Sequence, residues 1–255
     1  MNTQKGLFVW YELLTSDVDA AVAFYGAVAG WGAEAMPMPG GDYRMFKTGQ
    51  GFAAGVTTLP ASAKAMGAPS HWLGYLAVDD VDAATATAKA QGATVYQPPM
   101  DIPRVGRFAI FGDPQGATSA FFKAEGEPSP MHDRRQPGEF AWHELMCDDP
   151  DKALAFYAQF AGWQALEKMP MGPDGFYQLF GRAADQQLGG MMPKPAQMPA
   201  SAWLYYIGVA ALDPALARAI AAGGKVVHGP IEVPGGARVA TLVDPQGAHF
   251  ALMGP

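Results

Sequence analysis

The chain has 255 residues, 49% of them hydrophobic and 16% charged, with 17 basic against 24 acidic side chains and a formal charge of −7. This composition supports a sizeable folded core and excludes a disordered chain, and the acidic balance excludes a broad basic face for nucleic acid. The single cysteine, Cys147, excludes an internal disulfide framework, and no stretch reaches the ~18 apolar residues of a membrane span, so a soluble, cytoplasmic protein is expected.

In chain order, the apolar run Leu7–Leu14 predicts a strand. Asp17 then caps a helix on which Val18, Ala21, Val22, Tyr25 and Ala29 share one face, and Gly30 ends it. Short strands follow at Asp42–Thr48 and Phe52–Thr58. The pattern restarts with Asp80-Val81-Asp82-Ala83-Ala84, a close copy of Asp17-Val18-Asp19-Ala20-Ala21, and Gly92 ends that helix. Strand Arg107–Phe111 precedes Asp113-Pro114-Gln115-Gly116, whose Asp, Pro and Gly placement signals a type I turn. Residues 124–138, rich in Pro and Gly, read as a linker.

After the linker the sequence repeats. Phe140–Trp163 matches Phe8–Trp31 at 13 of 24 positions, too many for chance, and Asp244-Pro245-Gln246-Gly247 repeats the turn. Asp149 before Pro150 and Asp213 before Pro214 are read as helix caps, ended by Gly162 and Gly223, and Ala237–Val243 is a further strand. The chain is therefore a tandem duplication of a unit that itself contains a fainter repeat. The expected fold class is α+β, as four βαβββ modules. Domain 1 is expected at 1–124 (modules about 1–60 and 70–124), the linker at 125–137, and domain 2 at 138–255 (modules about 138–195 and 201–255).

Four such modules, with Phe-Tyr on the helix, Gly-Trp after it and Asp-Pro-Gln-Gly before the last strand, resemble the vicinal oxygen chelate superfamily. That superfamily includes glyoxalase I, bleomycin-resistance proteins and extradiol dioxygenases. The resemblance implies two cupped mixed sheets flanked by helices, each holding a small molecule, often beside a divalent metal. The slots where the family places metal ligands fall here on Trp10, Leu73, Ala120, Trp142, Tyr206 and Ala251, none of which suits a divalent ion. No cofactor is therefore expected, with a displaced metal site, such as one using His249 and Glu144, as the alternative. The expected partner is a small, largely apolar ligand bound in the manner of the bleomycin-resistance branch. The alternative is a metal-dependent lyase or dioxygenase with displaced ligands. Neither nucleic acid nor membrane is an expected partner, and the chain is expected to be a monomer or homodimer.

Alternation puts Glu12 on the face of Trp10, and Glu144 on that of Trp142. Either carboxylate could act as a general base or ligand partner; alternatively, each is a buried Glu held by Arg107 or Arg238. Met36 with Met38, and Met169 with Met171, are placed on the strand after each helix, where they line an adaptable apolar cavity or fill the core. Tyr43, Tyr177, Trp72, Trp203, Tyr75 and Tyr206 add aromatic lining or core, and His71 is a ligand, base or rim residue without a counterpart in the second half. Ser119 is replaced by Phe250, which would narrow the second cup and favour the first as the ligand site.

Overall fold

The computed structural model describes residues 4–38, 41–127 and 129–255, apart from the side chains at positions 37, 38 and 174. The first module comprises β1 (Phe8–Thr15), α1 (Val18–Ala29), β2 (Gly32–Met38), β3 (Gly41–Thr48) and β4 (Gly51–Thr58). A short helix, α2 (Ala61–Ala65), leads to the second: β5 (His71–Ala77), α3 (Val81–Ala90), β6 (Thr94–Ile102), β7 (Gly106–Gly112) and β8 (Thr118–Ala124). The third has β9 (Phe140–Cys147), α4 (Pro150–Ala161), β10 (Gln164–Pro170), β11 (Phe176–Gly181) and β12 (Gln187–Pro193). The fourth has β13 (Ala202–Gly208), α5 (Leu212–Ala221), β14 (Lys225–Glu232), β15 (Arg238–Val243) and β16 (His249–Gly254). All four modules are thus βαβββ, as the repeats predict.

The strands form two eight-stranded sheets, ordered β2-β3-β4-β1-β5-β8-β7-β6 and β10-β11-β12-β9-β13-β16-β15-β14. Each is mixed: β1 pairs with β4, and β5 with β8, in parallel, while the hairpins are antiparallel. Local chemistry sets the helix ends. Asp17, Asp80 and Asp149 accept the backbone N–H groups of Ala20, Ala83 and Lys152, and Gly30 and Gly162 close α1 and α4 at φ 73° and 69°, a region that favours glycine. Asp213 departs from expectation. It lies inside the first turn of α5, behind Ala211 as cap, and its carboxylate is bound to Arg238 instead.

The sheets follow the two halves of the sequence, but the compact units cross them. One unit comprises residues 1–9, 74–131 and 143–203; the other comprises 10–73, 132–142 and 204–255. We call these the inner and outer units, because the inner one is built on modules two and three and the outer one on modules one and four.

In the outer unit, the buried rings of Tyr25, Trp31, Phe46, Trp72, Phe140 and Phe250 pack together. Trp72 Nε1 donates to Tyr25 Oη at 2.9 Å, and Tyr25 donates to Asp244 at 3.1 Å. The inner unit repeats this chain: Trp203 donates to Tyr157 at 3.0 Å, and Tyr157 donates to Asp113 at 3.1 Å. Each Asp also accepts two backbone N–H groups of its own Asp-Pro-Gln-Gly turn. The turn aspartate therefore fastens a helix tyrosine as well as its own loop, and a buried carboxylate with several donors avoids an unpaired charge.

The segment between the halves is docked. Gln50 and Asp133 exchange two hydrogen bonds, and the buried Glu139 accepts from Thr48 and lies 2.8 Å from His132 Nδ1. These contacts surround a polar recess of about 410 Å3 lined by Gly49, Gln50, Asp133, Gln136, Pro137 and Glu139.

Candidate functional site

The two opening strands, β1 and β9, carry the site. Tyr11 and Leu13 are buried on one face of β1, whereas Trp10 and Glu12 are half-buried on the other. Phe8 and Tyr11, three residues apart, lie in separate aromatic clusters, Phe8 with His143, Trp163 and Trp203 and Tyr11 with Phe140 and Tyr205.

A half-buried face of the outer unit brings Trp10, Glu12, Met36 and Tyr43 together. Met36 is the cross-strand partner of Tyr43, and Glu12 is in register with Gly55 on β4. A Cβ on Gly55 would collide with the Tyr43 hydroxyl. The bare glycine is thus what lets the phenol lie across β4 and reach the first strand. Trp10 Nε1 donates to Tyr43 Oη at 3.3 Å, and the phenol is hydrogen-bonded to the Glu12 carboxylate. Burial, then the Glu12 charge, drives the Tyr43 phenol far above its ordinary range, with the Trp10 bond opposing. Tyr43 is therefore a protonated donor across the physiological range.

The inner unit holds the same device. Tyr177 Oη donates to Glu144 Oε2 at 3.0 Å, Gly190 is the register partner of Glu144, and a Cβ on Gly190 would collide with the Tyr177 ring. Met169 is the cross-strand partner of Tyr177, and Glu144 is buried. Trp142 precedes Glu144 by two residues and is half-buried.

Several expected site residues lie elsewhere. Arg107 pairs with Asp82 and Asp101, and Arg238 with Asp213, so neither is the counterion of Glu12 or Glu144. The reason is strand parity: Arg107 shares a face with Ala109 and Phe111, and Phe111 packs on Phe156 and Phe160 of α4. Arg238 likewise shares its face with the buried Ala240 and Leu242. Trp72 belongs to the covered aromatic core, not to a ligand face. Phe250 packs on Phe24 and Tyr25 and narrows no open face, while Ser119 is buried and donates to the Gly74 carbonyl. Met171 is not on β10; it precedes a turn at Gly172–Asp174, its N–H bonded to the Gly175 carbonyl. Met38 has its side chain outside the described residues.

His71 is half-buried beside Trp72 on β5, with Nδ1 2.8 Å from the Pro69 carbonyl. Burial holds its pKa below the usual imidazole value, against that backbone bond. The Nδ1 proton therefore faces Pro69, leaving Nε2 as the basic nitrogen. Cys147 is buried and its thiol is pushed up to about 12, first by burial, so it is no nucleophile.

The residues missed by sequence reasoning are Gly55 and Gly190. Each is a glycine inside a strand, a signal of close approach by another group.

A family-model comparison matches residues 7–121 and 139–252, both halves of the chain. The chain belongs to the Glyoxalase/Bleomycin resistance protein/Dioxygenase superfamily. CFP32 of Mycobacterium tuberculosis, named there as a candidate glyoxylase, is 35% identical over 99% of this chain and 96% of its own. The anthracycline biosynthesis protein DauV of a Streptomyces species is 30% identical over 97% and 93%. In fold, the chain is similar to an Mn(II)-bound glyoxalase from Novosphingobium aromaticivorans, with TM-score 0.64 at 18% identity, covering 98% of this chain and 82% of that one. It is also similar to a 2,2',3-trihydroxybiphenyl 1,2-dioxygenase from Sphingomonas wittichii, with TM-score 0.66 at 12% identity, covering 99% and 90%.

The superfamily's divalent metal finds a poor donor set here. Ala120 and Ala251 are fully buried, in register with Tyr75 and Tyr206, and offer no side-chain donor. Among the described residues, no three of His, Cys, Asp and Glu converge. Glu12 and Glu144 each face a phenol rather than an imidazole, so the residues present do not fit the ion.

Proposed function

We propose that this superfamily member binds a small, largely apolar molecule on the half-buried sheet face of the outer unit that carries Trp10 and Glu12, without a divalent metal. The observation that carries this reading is the constellation of Trp10, Met36 and Tyr43 around Glu12. An indole, a thioether and a phenol offer apolar contact, and one carboxylate supplies polarity, the usual make-up of a small-molecule site. A relative named for the biosynthesis of anthracyclines, which are fused-ring aromatic compounds, supports a flat ligand.

Calorimetric titration of chelator-treated protein with 1-naphthol tests the reading. Saturable binding, weakened in Trp10→Ala and unchanged by added Zn2+ or Mn2+, is expected. Binding that appears only when a metal is restored would overturn it.

A further inference from the structure

We infer that Tyr43 is a gate: its phenol swings off the sheet to admit a ligand to the Trp10 indole and closes again beside it. This rests on the binding reading above and adds how that site opens.

The phenol covers the floor of the face. Gly55 is buried although it has no side chain, and the Tyr43 ring lies on it. The ring leans along the sheet to get there. Tyr43 is in register with Thr57, two residues from Gly55 on β4, and beyond Gly55 its hydroxyl meets Trp10 and Glu12 of β1. Aromatic side chains can span such diagonals. One phenol thus bridges β3, β4 and β1, and an incoming ligand finds that part of the face occupied.

The same ring is lightly held. Among the described residues, neither Tyr43 nor Trp10 is in contact with another aromatic ring. Tyr25 of the same unit, by contrast, is enclosed by Phe24, Trp31, Phe46, Trp72 and Phe250. At its root Tyr43 faces Met36 on β2, an edge strand, and a methionine can re-pack when its neighbour leaves. The hold is at the tip, in the 3.3 Å bond from Trp10 Nε1 and the bond to Glu12. A turn about χ1 into another staggered well exchanges both bonds for water and uncovers the indole.

The inner copy lacks this freedom. A Cβ on Gly190 would strike the body of the Tyr177 ring as well as its hydroxyl, whereas one on Gly55 would strike chiefly the hydroxyl end of Tyr43. The inner phenol is wedged along its side, and the outer one touches down by its tip. The gate therefore belongs to the outer unit alone.

Rate constants separate a gate from a fixed contact. Association and dissociation of 1-naphthol can be followed by NMR line shapes in the wild type, Tyr43→Phe, Gly55→Ala and Gly190→Ala. Two hydrogen bonds at the tip should keep the gate shut in all but about a tenth of the molecules. Tyr43→Phe keeps the ring and deletes the lock, so association should rise about tenfold, and dissociation with it. Gly55→Ala obstructs the closed position, so association should rise similarly and dissociation still more. Gly190→Ala should leave both constants near the wild-type values.

Dissociation that quickens while association keeps its wild-type value would make Tyr43 a fixed contact and overturn the gate, leaving the binding reading in place. Wild-type rates in Tyr43→Phe, or association that quickens only in Gly190→Ala, would also overturn it. Absence of binding would overturn the binding reading and the gate with it. Tyr43→Phe decides the matter even where Gly55→Ala folds poorly.

Discussion

The two tyrosine–glutamate pairs are copies of one device set at different depths. In the inner unit Glu144 is buried and takes the Tyr177 hydroxyl at 3.0 Å; in the outer unit Glu12 is half-buried, and its tyrosine also accepts from Trp10. Behind each pair the covered side differs as well. Tyr11 stacks on Phe140 at 3.7 Å, whereas the equivalent His143 stacks on Phe8 at 4.5 Å and places Nδ1 2.8 Å from the Leu188 carbonyl. Duplication has preserved the geometry that holds a phenol against a carboxylate, a glycine beneath and a methionine beside. It has not preserved the surroundings. A buried pair chiefly holds its unit together, whereas a half-buried one can be shared with a ligand.

That comparison breaks most sharply at the glycines. Gly190→Ala drives a methyl into the body of the Tyr177 ring, and a loss of about 1–3 kcal/mol in urea denaturation is expected from such overpacking. Gly55→Ala meets chiefly the hydroxyl end of Tyr43, which can swing aside. It should cost less stability and more ligand affinity. Equal stability losses would mean that the two pairs are equally embedded.

Deleting the hydroxyls sharpens the contrast. Tyr177→Phe leaves Glu144 buried without that bond and should cost about 1–3 kcal/mol by thermal or urea melts. Tyr43→Phe should cost clearly less, because Glu12 reaches solvent, and should show itself in ligand binding. The reverse ranking would exchange the roles assigned to the two units.

A smaller effect comes from His71, whose counterpart is Ala202. Its folded pKa lies below the unfolded value of about 6.5. The unfolded chain therefore binds the proton more readily, and this part of the stability is lost as pH falls through about 6.5 toward the folded pKa. Melts between pH 7.5 and 5 should show His71→Ala flattening that decline relative to wild type. The smallest effect belongs to Arg107→Ala and Arg238→Ala, which touch only exposed pairs. Neither should alter ligand binding, and any change in melting should fade with added salt.

The fold was written plainly in the chain because its marks are local: aspartates capping helices, glycines ending them, and a turn tetrapeptide before the last strand of each half. Trp10 and Glu12 could be set on one face for the same reason, since alternation holds over short distances, whereas Met36 and Tyr43 stayed open between cavity lining and core. What escaped depends on reading a face across long distances. Arg107 and Trp72 lie on strands whose covered side is declared only by the helices packed there. Met171 left its strand because Gly172 begins a turn, and Asp213 fell one residue inside its helix rather than before it. The Tyr43–Glu12 bond depends on Gly55, whose meaning is visible only when three strands are laid side by side.

Each compact unit takes one module from each half of the sequence. A protein holding a single copy of the repeat would own the right pieces in the wrong company, with apolar surface left over on both modules. Two such molecules would have to exchange partners to bury it, and their stability would depend on concentration. Joining the copies through the segment at 125–137 makes that meeting intramolecular, so that a dilution-sensitive assembly becomes ordinary folding. It also frees each copy to mutate alone, which a symmetric pair of identical chains cannot do.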